Sequence, residues 1–166
     1  MSFSWASFSS VFLRYALGLA FLSAVADRFG LWGPSGQPNV DWGTFSRFLE
    51  YTHTLIWYLP AEMIRGLGII ATGAEFLFGI LLLVGWYTRV TAVLSGLLLL
   101  VFGVSMAVAL GVKAPLNYSV FTGAGGAFLL ANCARFPFTV DELLFRRNHG
   151  IEGRVVHWAA LRRATK

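Results

Sequence analysis

The sequence predicts an all-α membrane protein: a polytopic four-helix bundle with an interfacial helix between its first and second spans. Three observations carry this. Of the 166 residues, 57% are hydrophobic and 13% charged, whereas soluble domains run near ~45–50% apolar and ~25% charged. Four apolar runs approach the roughly 20 residues that a spanning helix needs. One of them, residues 67–86, holds a single charge, Glu75. A carboxylate at a bilayer centre costs about 2.5–3.5 kcal/mol on insertion scales, so it implies a polar interior, a partner cation or a bound ligand.

The spans fall at about residues 9–29, 60–86, 90–112 and 116–134. The stretch before the first span has no positive charge and no small-residue cleavage site, so that span reads as a retained helix. A turn-rich segment follows, Gly33-Pro34-Ser35-Gly36-Gln37-Pro38-Asn39. Next, Trp42, Phe45, Phe48 and Leu49 share one helical face, with Asp41 as the expected N-cap. That piece is expected to lie on the membrane rather than through it. Pro60 suits the first turn of the second span, and Arg135 and Pro137 end the fourth. Residues 1–147 form one expected domain, with a short amphipathic helix over 138–147. Residues 148–166 form a basic tail.

Orientation follows the placement of Lys and Arg. Seven of the thirteen lie after residue 134, and Arg89 sits between spans two and three. Both termini are therefore expected in the cytoplasm of a bacterial-type inner membrane, with the basic tail facing anionic lipid. Trp32, Trp42, Trp57, Trp86 and Tyr87 mark the expected interfaces. Small residues at Ala16, Ala20 and Ala24, at Gly103, Ala107 and Gly111, and over 123–127 predict close helix packing. The charge of +5 forms no aromatic-interleaved patch, so nucleic acid is not an expected partner. The bilayer is.

Two constellations could carry function. Gly68, Ala71, Glu75 and Gly79 share a face, so Glu75 points inward. Arg14 is its expected partner in a buried ion pair; a ligand or proton role for Glu75, or snorkelling of Arg14 to the headgroups, remains open. At the outer face, Asp27 and Arg28 end span one, while Lys113, Asn117 and Tyr118 open span four. They read either as a capped turn with an interfacial salt bridge or as a polar mouth for an amphiphile such as a quinone. No histidine pair lies in the spans, no Cys/His cluster has metal-ligand spacing, and Cys133 is the only cysteine. The chain shows no intrinsic metal, haem or dithiol site. Redox chemistry, if any, would come from a bound organic molecule or a partner.

The run Phe12-Leu13-Arg14-Tyr15-Ala16-Leu17-Gly18, with Asp27-Arg28-Phe29-Gly30 after it, resembles the start of DoxX/DoxD-like membrane proteins. Glu75-Phe76-Leu77-Phe78-Gly79 with Thr88-Arg89, and Lys113-Ala114-Pro115-Leu116-Asn117-Tyr118-Ser119, resemble later segments of that family. Arg14, Arg28 and Glu75 match its charged sites; Arg28 stands where a lysine is common, and Asn117 where an aspartate is often expected. The resemblance implies a four-helix inner-membrane protein, a quinone-docking or anchoring subunit of a quinone-linked oxidoreductase complex tied to sulfur or oxidative stress. A non-enzymatic binder or carrier of lipid, or a scaffold recruiting a soluble redox partner, is the alternative.

Overall fold

The computed structural model describes residues 5–134 and 136–144. Every regular element among them is helical: α1 (Trp5–Arg28), α2 (Phe45–Leu55), α3 (Ala61–Val84), α4 (Thr88–Leu110), α5 (Lys113–Asn117) and α6 (Val120–Ala131). Residues 140–144 are helical too, which covers part of the expected 138–147 helix; the 148–166 tail lies outside the described residues. By length and composition, α1, α3 and α4 can each cross a membrane. This is a membrane protein.

The fourth expected span, 116–134, is broken. Ser119 has φ 54°, in the left-handed region, and that conformation cannot continue a right-handed helix. The chain therefore makes α5, turns, and starts again as α6. The 12 residues of α6 rise only about 18 Å, against a hydrocarbon core of about 30 Å.

Close approach of backbones sets the register. A Cβ on Gly79 would lie 2.8 Å from Leu22 and 3.1 Å from the Gly18 carbonyl oxygen, so α1 and α3 cross antiparallel at two glycines. On the other side, Gly103 receives the ring of Phe121 and Gly96 that of Phe128, which runs α6 back along α4. Leu17, Phe21, Leu82, Ala92, Ala127, Leu130 and Ala131 fill the space between. The alanine stripe of α1 does not pack as expected. Ala16 and Ala20 are exposed, and the buried face instead carries Ser10, Arg14, Leu17, Gly18, Phe21 and Val25.

One end of the bundle is held by polar contacts to helix termini. Gly85 closes α3 with φ 73°, and any side chain there would collide with Arg14 and Thr139. The Arg14 guanidinium, 1% exposed, donates to the carbonyls of Leu82 (3.1 Å), Leu83 (3.2 Å) and Phe138 (3.0 Å). Those first two are carbonyls that a helix end leaves without partners. Across the turn, the Asp141 carboxylate accepts from the backbone N–H groups of Tyr87 (2.9 Å) and Thr88 (2.7 Å), capping α4 from outside. Its own N–H donates to the Gly85 carbonyl at 3.1 Å. The stretch after α6 is thus tied to the α3–α4 turn. Asp141→Ala should lower the free energy of unfolding in mixed micelles by about 1–2 kcal/mol, the usual cost of an N-cap; an unchanged value would remove this role.

Candidate functional site

At the opposite end, α1 finishes on two charged residues that are both buried. Arg28 is 2% exposed and Asp27 6%. A guanidinium is tolerable there only if its charge is met by fixed groups. The Arg28 Nη1 forms an ion pair with the Glu75 carboxylate, itself 4% exposed, and donates to Thr72 Oγ1 at 2.8 Å. Thr72 and Glu75 stand one turn apart on the inner face of α3, so one arginine reaches both.

Aromatic rings close the site from above. The guanidinium carbon lies 3.8 Å from the ring centre of Phe48 and 5.2 Å from that of Trp42. Both are within cation–π range, where desolvation strengthens the attraction. Phe48 belongs to α2, which seats on α3 because Gly68 has no side chain: a Cβ there would come within 2.5 Å of Leu49. Trp42 is placed by Asp27. One oxygen of that carboxylate accepts from the backbone N–H groups of Asp41 (3.2 Å) and Trp42 (2.9 Å). The loop folds back tightly enough for this because Gly30 and Gly43, at φ 72° and 67°, meet at a spacing that leaves no room for a side chain. Asp41 is consequently not the N-cap of α2. Thr44 is, and its hydroxyl accepts from the Arg47 N–H at 3.4 Å.

The expected pairing of Arg14 with Glu75 is corrected by these contacts. Arg14 is spent on the end of α3, and Arg28 is the partner of Glu75. The cause is register: the Gly18–Gly79 crossing brings the end of α1 beside Thr72, while Arg14 lands level with Leu82. The expected outer mouth is brought together only in part. Asp27 and Arg28 sit in the site. Lys113, Asn117 and Tyr118 are exposed on and after α5 and make no hydrogen bond to either among the described residues. Tyr118 does come near α2. Burial pushes the Tyr51 phenol up in pKa, and the neighbouring Tyr118 and then Asp41 push in the same direction. Sequence reasoning missed Thr72 and the two rings; the position of Thr72 three residues before Glu75 was the available signal. Trp42, expected as an interfacial residue, is half-buried over a cation instead.

Beside the polar centre lies an apolar groove of about 870 Å³ between α1 and α3, walled by Leu22, Val25, Phe29, Phe45, Ile69 and Phe76, with Thr72 and Gly73 completing it. The site therefore combines a sealed charge pair with an apolar recess beside it.

The family model of methylamine utilisation protein MauE matches residues 5–117, which includes every residue of this site. The chain belongs to the MauE family. The DoxX/DoxD-like resemblance is thereby overturned: it rested on short separate runs, whereas the match to the MauE model extends over residues 5–117. No curated protein and no solved structure gives a match. In this MauE-family protein the matched region ends at Asn117, so α1 to α5 carry the family pattern and α6 lies beyond it.

If the Arg28–Glu75 pair is as sealed as its burial indicates, Arg28→Met and Glu75→Gln should each cost about 3–5 kcal/mol of stability in mixed micelles. The double variant should recover part of that loss. Arg14→Met combined with Glu75→Gln should be additive within about 0.5 kcal/mol. Coupling between Arg14 and Glu75, with none between Arg28 and Glu75, would reverse the assignment.

Proposed function

We propose that this MauE-family protein is a membrane-embedded accessory component of a redox-related pathway, and that the Arg28–Glu75 centre under α2 is its working part. The single observation behind this is the ion pair itself. A charge pair desolvated inside an apolar bundle is weak support for stability, because well-packed apolar residues often serve as well or better. Ionisable groups inside membrane bundles mark binding or transfer sites. Methylamine utilisation is the process in the family's name, and it supplies the redox setting of the reading.

In this reading, both ends of the described chain face the cytoplasm, as the Lys and Arg placement suggests, because α5, α6 and the residues after them return along α4 to the Arg14 end. Arg14 and residues 136–144 lie at that end. The Arg28 end then faces outward, and α2 lies in the headgroup layer, with Trp57 and Tyr58, 69% and 62% exposed, as interfacial anchors. A soluble redox partner would meet the protein at one of these faces. A second reading, a binder or carrier of a hydrophobic molecule with no redox role, is favoured by the groove between α1 and α3.

The pathway reading is tested in a methylamine-using bacterium that lacks its own MauE-family gene. The wild-type chain should restore growth on methylamine. Arg28→Lys, matched for membrane level, should not, because an ammonium cannot reproduce the planar guanidinium that packs against Phe48 and Trp42 while its Nη1 meets Thr72 and Glu75. Equal growth with both would detach the centre from function, and no growth with either would remove the pathway assignment.

A further inference from the structure

We propose that the α1–α3 groove is a lateral binding site for an isoprenoid-type quinone, entering from the bilayer with its carbonyl directed at Thr72. The proposal rests on the reading of the Arg28–Glu75 centre as a working site and names its ligand. Three features of the groove select this occupant.

The first is donor chemistry. Thr72 Oγ1 accepts from Arg28 and donates to no acceptor among the described residues. Behind it, the Arg28 Nε is buried and also without an acceptor. A hydroxyl with a hydrogen to give, polarised by a bound guanidinium, calls for a carbonyl oxygen. Since Glu75 already neutralises Arg28, that carbonyl need carry no charge. A neutral head fits better than a carboxylate.

The second is the character of the walls. Thr72 is the one polar side chain among the residues that line the groove, and none of them is charged. An ionic phospholipid headgroup finds no partner there, whereas a neutral ring that carries a carbonyl on an apolar tail does.

The third is room made by a glycine. Gly73 lines the groove, and a Cβ built on it meets nothing within 4 Å. The other helical glycines described above have a neighbouring side chain in that place, as Gly68 has Leu49 and Gly96 has Phe128. The space over Gly73 is thus taken by no other part of the described chain. Gly73 keeps the recess open, with Phe29, Phe45 and Phe76 around it to pack against a ring and tail.

Gly73 also makes the test clean. Gly73→Leu puts a side chain into the recess from a position where an added Cβ meets no neighbour, and replaces a poor helix former with a good one. Decylubiquinone is titrated into the purified full chain in lipid nanodiscs, followed by quenching of tryptophan fluorescence and by native mass spectrometry. The wild type should bind saturably. Gly73→Leu, with unchanged helicity and melting temperature, should bind at least about tenfold more weakly, and Thr72→Val about three- to tenfold more weakly. No saturable binding to the wild type, or equal affinity in Gly73→Leu, overturns the proposal. So does retention of phospholipid, rather than quinone, that Gly73→Leu abolishes. The assay uses no growth phenotype, so a failed growth test leaves it standing and a failed titration leaves the pathway reading standing.

Discussion

A guanidinium in an apolar bundle must find fixed partners for its charge and its donors, and most of this structure can be traced to how Arg28 finds them. Its carboxylate comes from Glu75 and its hydroxyl acceptor from Thr72, which fixes the facing of α3. Its upper side is covered by Phe48 and Trp42, which fixes the seat of α2 and the path of the preceding loop. Asp27, the residue before it, holds the loop by its backbone. Two adjacent residues at the end of one helix thus organise this half of the bundle. Gly18, Gly68 and Gly79 permit the approaches this needs.

The other end meets a related problem with different means. Helix termini leave backbone groups unpaired, and in a bilayer no water is at hand to meet them. Arg14 supplies donors to the end of α3, and Asp141 supplies acceptors to the start of α4. Both groups are charged, yet their partners are backbone dipoles, so this end is a structural clasp. Buried charge alone does not separate the two roles. What separates them is the company: Arg14 lies over the Tyr15 ring and gives its hydrogen bonds to backbone carbonyls, whereas Arg28 meets a carboxylate beside an open apolar recess.

The architecture was legible where it depended on composition and run length. Three long apolar helices, the short helix between the first two and the inward face of Glu75 all follow from apolar periodicity and the cost of a membrane charge. The fourth span was not, because its break depends on the left-handed conformation of Ser119, a residue with no intrinsic preference for it. Small residues were correctly read as packing positions at Gly79 and Gly103, but not at Ala16 and Ala20, since alanine is equally at home facing lipid. The site was half legible. Asp27, Arg28 and Glu75 stood out as charges in apolar surroundings. Which cation met Glu75 depended on a register fixed by two glycines crossing, and depth along separate helices cannot supply that. The family also lay beyond the local motifs, which are short, whereas the family match extends over residues 5–117.

The central claim is that Arg28, and not Arg14, is the partner of Glu75 inside the membrane. The most direct measurement is a solid-state NMR dipolar-recoupling distance in lipid bilayers, between guanidinium nitrogens and the Glu75 side-chain carboxyl carbon. Labelled arginine in wild type, Arg14→Lys and Arg28→Lys proteins assigns the signal. A separation of about 4 Å, as a direct hydrogen bond requires, should be present in wild type and Arg14→Lys and absent in Arg28→Lys. Its persistence in Arg28→Lys and loss in Arg14→Lys would contradict the account.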